Sequence, residues 1–196
     1  MKIQNIFLIS VVLILLSCMT AVGQHSHESN YIGQEHRKIK SLSTSDIDDL
    51  KNGRGWGLAK AAELNGVPGP IHILEMQEEI GLSKEQKKKI EIIFQKMKSE
   101  AIPLGLKLIE LEKNLNNHFA DNTITATLLR NLLDEIAKVR SKLRYVHLSS
   151  HLKTPEILPP KQIRLYNKLR GYSLDDPCLN IPTGHDPQMW KMHNNC

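Results

Sequence analysis

The middle of the chain carries two long stretches in which apolar residues are regularly spaced. The first stretch alternates steps of four and three residues and consists of Ile90, Phe94, Met97, Ala101, Leu104, Leu108, Leu111 and Leu115. The second stretch alternates steps of three and four residues and consists of Leu129, Leu132, Ile136, Val139, Leu143, Val146 and Ser150. A period of about 3.5 residues is typical of long helices that pack side by side. Because only a short polar turn at 121–123 precedes the second stretch, we predict an antiparallel helical hairpin.

The ends of the two long helices are marked in the sequence. Ser83, followed three residues later by Gln86, forms a capping box, so the first helix is predicted over 84–119, with a kink at Pro103. The second helix should end near 153–155. Only 5% of the residues are aromatic and 24% are charged, which argues against an aromatic-rich β-sandwich or barrel. The 40% of hydrophobic residues argues against a disordered chain, so the fold class is predicted to be all-α.

Shorter helices are predicted on both sides of the hairpin. Residues 58–64 and 71–80 have helical patterns, and a last helix begins near Pro160 and stops at Gly171. The helical domain is therefore placed at 45–172, as a long hairpin with short flanking helices.

Residues 1–23 have the character of an export signal. After a positively charged start comes the apolar run 6–16, which is short for a membrane span and typical of a signal-peptide core. Two processing sites remain open: small residues at 21–23 suit a leader peptidase, whereas 15–18 resembles a lipobox in which Cys18 would be lipidated. Either site predicts an exported, periplasmic protein, free or anchored by a lipid. Such a protein rarely meets nucleic acid, so the net charge of +5 is not interpreted as a nucleic-acid signal.

Two polar segments flank the predicted domain. Residues 24–44 are rich in His and Ser and are predicted to be a flexible tether. Residues 173–196 form a tail that contains Cys178 and Cys196. In an oxidising compartment two such cysteines most often form a disulfide, and metal ligation by their thiolates is the alternative.

Histidine, methionine and cysteine residues suggest metal binding in three places. His147 and His151 are four residues apart on the second long helix, so their rings point the same way, although two ordinary interface histidines would have the same spacing. The tail offers imidazole, thioether and thiolate groups, which suit zinc or copper(I). These tail residues are His185, Met189, Met192, His193 and Cys196, and a further pair near the N-terminus is His25 and His27.

Catalysis is not predicted, and no cofactor is required. The sequence has no recognisable nucleophile–base–oxyanion arrangement, phosphate-binding loop or haem attachment motif. We therefore expect a binding protein and not an enzyme.

Two five-residue motifs stand at predicted helix starts, and each has Leu first and Gln fifth. They are Leu82-Ser83-Lys84-Glu85-Gln86 and Leu158-Pro159-Pro160-Lys161-Gln162. The motifs resemble the Leu-Thr-x-x-Gln repeat of the Spy/CpxP family of periplasmic proteins, which includes chaperones and heavy-metal-sensing relatives. The likeness covers about residues 74–172. Ser83 replaces Thr conservatively, whereas Pro159 has no side chain that can cap a helix.

The resemblance implies a thin, curved homodimer whose concave face holds unfolded client proteins. On that basis we expect a holdase-like chaperone or envelope-stress adaptor that binds envelope proteins or a membrane sensor protein. The alternative is a zinc or copper sensor or buffer on the same scaffold. A single hairpin cannot bury every apolar side chain, so a client or dimer surface is predicted. Its candidate residues are Met76, Ile93, Met97, Ile102, Leu106, Arg140 and Arg144.

Overall fold

A computed structural model describes residues 29–172 and 181–194. In these two ranges the protein is all-helical and contains no β-strand, which confirms the predicted fold class. The α-helices, in chain order, are α1 (Thr44–Asn52), α2 (Lys60–Glu63), α3 (Pro70–Glu75), α4 (Gln77–Ile80), α5 (Lys84–Ala120), α6 (Ala126–Lys153), α7 (Pro160–Leu169) and α8 (Pro187–His193). The chain divides into two compact units, 1–35 and 36–196. Within the described part of the first unit, the Tyr31 N–H donates to Ser29 Oγ at 3.1 Å in a short turn.

Helices α5 and α6 pack against each other as the predicted hairpin. The capping box at the start of α5 is present, since the Gln86 N–H donates to Ser83 Oγ and the Ser83 N–H donates to Gln86 Oε1. Helix α5 continues through Pro103, which lies on its exposed side. The hairpin core is formed by buried residues of the two heptad patterns, including Met97, Ala101, Leu108, Leu111, Ile136, Leu143 and Val146.

Helix α1 covers one side of the hairpin by packing on α5. The approach is close at Gly105, where an added Cβ would lie 2.2 Å from the Leu50 carbonyl oxygen. Only glycine leaves room for the α1 backbone at this point. This contact fixes which side of α5 is covered.

The segment just before α1 also packs on the hairpin. Ile39 and Leu42 are buried in the same core as the hairpin residues, and the Ser41 hydroxyl donates to Glu112 Oε2 at 2.8 Å. Part of the segment predicted as a tether over 24–44 thus contacts the helical domain. Two apolar side chains in a polar segment gave no periodic signal, but they are sufficient to hold the segment on the domain.

A second core lies where α5 begins and α6 ends. It brings together Ile73 of α3, Ile80 of α4, Ile90 of α5 and Tyr166 of α7, with Leu158 from the preceding loop. The helix predicted over 71–80 is divided at Met76 into α3 and α4. This core determines how α3 and α7 sit on the end of the hairpin, and so shapes the pocket described below.

Candidate functional site

The two glutamines of the pentad motifs are in direct contact. Gln86 Nε2 donates to Gln162 Oε1 at 2.8 Å, and Gln162 Nε2 donates to Gln86 Oε1 at 3.3 Å. The same amide groups reach backbone carbonyls, since Gln86 Nε2 donates to Ile157 O and Gln162 Nε2 donates to Gly81 O, both at 3.0 Å. The motif residues therefore fasten the start of α7 to the start of α5.

The other motif residues pack in the second core or lie at the helix starts. Leu158 is buried in the second core and Leu82 packs against that core. Ser83 caps α5, whereas Pro159 makes no side-chain capping bond at the start of α7. The motifs thus join two helix ends.

An open groove runs along the hairpin between α5 and α6, and we call it the open face. Its wider part has a volume of about 550 Å³ and is lined by Glu100, Leu104, Ser141, Lys142, Tyr145 and Val146. A narrower continuation shares Glu100 and Val146 and adds Ile93, Lys96, Met97, Ser149, Ser150 and Lys153. Tyr145 is 71% exposed there. The open face therefore offers apolar and basic groups to solvent.

The open face and the covered side of the hairpin use different stripes of α5. Gly53, after the end of α1, lies close to Lys98 and Ile102, and Gly105 faces α1. The open face instead uses positions 93, 96, 100 and 104 of the same helix. At 3.6 residues per turn these two sets lie on separate faces. A substitution at one of these positions therefore does not touch the other face, whereas Met97 borders both sides.

The predicted client or dimer residues are distributed over several environments. Ile93 and Met97 border the open face, and Met97 is also part of the hairpin core. Leu106 is 48% exposed, Met76 packs on the second core, and Ile102 lies beneath Gly53. The Arg140 guanidinium carbon lies 4.9 Å from the Trp56 ring centroid, in a cation–π contact, and Arg144 is exposed. These residues do not form one continuous surface.

His147 and His151 are both buried, with 3% and 5% exposure. The Nδ1 atom of His151 is 2.8 Å from the Val67 carbonyl oxygen, whereas His147 Nε2 has no hydrogen-bond partner. Burial lowers the pKa of His147 from 6.5 to about 4, and the nearby His151 adds to this effect. The His147 ring is therefore neutral at physiological pH, with an unsatisfied nitrogen in the interior.

Both histidines line a pocket between the hairpin and its covering elements, which we call the histidine pocket. Its volume is about 460 Å³. The apolar part of its lining includes Pro70, Ile71, Phe94 and Met97. The polar lining includes Arg54, Glu63, His72, Glu75 and Lys98.

Most charges around the histidine pocket are already paired. Glu63 accepts from Arg170 at 2.5 Å, and although burial opposes it, this hydrogen bond and the Arg170 charge hold the Glu63 pKa below its usual range. Glu75 lies 2.7 Å from His72 Nδ1, and Arg54 contacts the carboxylates of two residues in α1. Lys98 lines the pocket with no acidic partner among the described residues.

Helix α8 holds part of the predicted metal set of the tail. Asp186 caps α8, and Met189, Met192 and His193 share one side of it by their spacing. The His185 ring packs edge-on against Trp190 at 4.9 Å. No group of three or more His, Cys, Asp or Glu that could hold a metal occurs within 29–172 or 181–194. The remaining predicted positions, Cys18, His25, His27, Cys178 and Cys196, lie outside the described residues.

Sequence reasoning did not find the full histidine pocket. His72, Lys98 and His147 come from three helices and are far apart in the chain. The spacing of His147 and His151 was the one local signal, and it indicated shared orientation but not the cavity in front of the rings.

The comparisons with known proteins identify no relative. The chain matches no protein-family model, no curated protein and no solved structure. In the described ranges, none of the helices combines the length and apolar character that crossing a membrane would require.

Proposed function

We propose that this protein is an exported helical binding protein of the Spy/CpxP type, which acts as a holdase-like chaperone or envelope-stress adaptor. The observation that carries the proposal is the open face of the hairpin. Export and the family resemblance rest on the leader-like residues 1–23 and on the two pentad motifs.

The chemistry of the open face favours extended segments that combine apolar and acidic residues. Lys96, Lys142 and Lys153 line it against one acid, Glu100, so its charge is positive. Lys96 lies 4.0 Å from Glu100, a weak contact between exposed groups that an acidic client can replace. Tyr145 presents a large, mostly exposed ring beside the lysines. Aromatic side chains of this kind often provide much of the binding energy in protein contacts.

A holdase assay tests the proposal on the purified protein. We expect the protein to suppress aggregation of a chemically unfolded model client, and to lose most of this activity in the double variant Tyr145→Ser/Lys142→Glu. The matched control is Leu133→Ser, because Leu133 is 47% exposed on the same helix and lies on the side of Arg140, which contacts Trp56 and not the open face. Salt should weaken the activity, since screening shortens the range of the lysine charges.

Two results would contradict the chaperone proposal. One is aggregation that proceeds unchanged at equimolar protein. The other is equal loss of activity in Tyr145→Ser/Lys142→Glu and in Leu133→Ser, because the open face would then have no special role. Circular dichroism of each variant establishes that the comparison is made between folded proteins.

A second candidate function is heavy-metal binding on the same scaffold. The observation that favours it is the common side of α8 that carries Met189, Met192 and His193, with Met192 65% exposed. Thioether and imidazole groups are suitable ligands for copper(I). Cys196, which lies outside the described residues, would supply a thiolate if it is reduced.

Titration with copper(I) and zinc tests this second function. We expect Met189→Leu/Met192→Leu to weaken copper(I) binding by at least about tenfold, since two of few soft ligands are lost. The control variant His147→Leu should leave it unchanged. Binding that is the same with and without residues 173–196 would refute a metal site in the tail.

A further inference from the structure

We propose that helix α7 holds this protein against an anionic lipid surface. The outward side of α7, which we call the basic face, carries three cations and two leucines side by side. These residues are Lys161, Arg164, Lys168, Leu165 and Leu169. None of them lines the open face, so the proposal does not rest on the proposed client binding.

The packing of α7 determines which of its residues reach solvent. Tyr166 is fully buried and Ile163 packs against the second core, so their side of the helix faces the domain. At about 100° per residue, the three cations of the basic face lie on the opposite side of the helix. All three cations are exposed, and Leu169 beside them is 46% exposed. The basic face is therefore accessible to a large flat partner.

The charge of the basic face is not neutralised by neighbouring acids. Residues 157–172 contain four basic residues and no acidic residue. The fourth cation, Arg170, is paired with Glu63, whereas the three cations of the basic face form no ion pair within the part of the chain that the structure describes. When α4 and the start of α5 are included, residues 77–91 and 154–169 contain seven basic and five acidic residues, so this end of the hairpin remains positive.

Helix stability does not explain the position of these cations. Lys161 lies in the first turn of α7, which contains no acidic residue. The N-terminal end of a helix carries a partial positive charge, so a cation in the first turn destabilises the helix. A charge that opposes the stability of its own helix is expected where it contributes to binding.

The combination of cations and leucines favours a lipid bilayer over a soluble anion. An anionic bilayer offers headgroups to the cations and acyl chains to Leu165 and Leu169 at the same surface. A soluble anion would pair with the cations and leave the leucines in water. The leader-like residues 1–23 also predict that the protein meets a membrane during export.

Co-sedimentation of the purified full chain with lipid vesicles tests the proposal. The vesicles consist of phosphatidylcholine alone or of phosphatidylcholine with about 30% phosphatidylglycerol. Each cation near an anionic surface contributes about fivefold to binding, so three cations predict a preference on the order of 100-fold for the anionic vesicles. The neutral vesicles measure any binding through the leader or an attached lipid, and high salt should reduce the preference.

Two double variants and one single variant locate the binding surface. Lys161→Met/Lys168→Met removes two of the three cations and should reduce the preference to about fivefold. The matched control, Lys107→Met/Lys138→Met, removes the same charge from exposed sites on the long helices and should retain the preference. Leu169→Ser should weaken binding to the anionic vesicles several-fold, because less apolar surface enters the bilayer.

Amine labelling measures the same contact in the unmodified protein. We expect anionic vesicles to protect Lys161 and Lys168 from a water-soluble acylating reagent, while Lys107 and Lys138 react at unchanged rates. Mass spectrometry of the digested protein follows each lysine separately. A variant that fails to fold therefore does not prevent the test.

The proposal is overturned by any of three results. These are equal binding to the neutral and anionic vesicles, equal loss of the preference in the two double variants, and binding of soluble polyglutamate without protection of Lys161 and Lys168 by vesicles. Failure of the holdase assay alone leaves these results unaffected, because the open face and the basic face consist of different residues.

Discussion

Lowering the pH should destabilise this protein through His147. The folded protein holds the pKa of His147 at about 4, against 6.5 for an unperturbed histidine. As the pH falls below 6.5, the unfolded chain takes up a proton that the folded protein excludes, so the free energy of unfolding decreases until the pH passes about 4. Above about pH 6.5 His147 no longer makes the free energy of unfolding depend on pH.

The size of the effect follows from the difference between the two pKa values. Each pKa unit corresponds to about 1.4 kcal/mol, so a fall from about pH 7 to about pH 4.5 should cost about 2–3 kcal/mol at His147 alone. Other groups titrate in the same range. The pKa of Glu63 is lowered in the folded protein, so the stability that Glu63 contributes is also lost as the pH falls. The effect of His147 is therefore measured as a difference between the unmodified protein and His147→Leu.

Urea unfolding followed by far-UV circular dichroism provides the assay. We expect His147→Leu to lose about 2–3 kcal/mol less than the unmodified protein over this pH interval. At about pH 7 the variant should be as stable or more stable, because it removes an unpartnered buried nitrogen. The control His193→Leu, at an exposed site, should follow the unmodified protein. Equal pH dependence of His147→Leu and the unmodified protein would refute the reasoning.

Three further predictions concern contacts that hold the fold. Gly105→Ala places a Cβ 2.2 Å from Leu50 O and should cost about 2–4 kcal/mol in urea unfolding; an unchanged midpoint would contradict the close approach of α1 to α5. In a double-mutant cycle, Gln86→Ala and Gln162→Ala should show a coupling energy of about 1 kcal/mol, and additive effects would mean that the amides act separately. Thr154→Val leaves the Pro68 carbonyl oxygen without its 2.6 Å hydrogen bond and should lower the free energy of unfolding by about 1–2 kcal/mol. Thr154→Ser keeps the hydroxyl group and should retain most of this free energy.

The hairpin was predictable because its signal is local and repeated. Each turn of α5 and α6 places another apolar residue on the same side. A single residue that disfavours a helix, such as Pro103, therefore does not change the prediction. The helix starts followed from caps that act within a few residues, as at Ser83. These features needed no knowledge of the tertiary structure.

The histidine pocket could not be predicted in the same way. Lys98 and His147 are brought together by the packing of the hairpin and its covering helices, and neither residue is unusual in its own helix. The contact between Gln86 and Gln162 could not be predicted either. Capping accounts for Gln86 alone, and the two amides meet only because α7 returns to the start of α5. Ile39 and Leu42 were missed because two apolar residues are too few to form a pattern.

Site-specific photo-crosslinking tests the central claim most directly, namely that the open face of the hairpin holds client segments. A photoreactive phenylalanine analogue is placed at Tyr145, on the open face, or at Leu133, which is exposed on another side of the same helix. With an unfolded model client, we predict efficient crosslinking from position 145 and little from position 133. Equal crosslinking from both positions, or none from position 145, would contradict the claim.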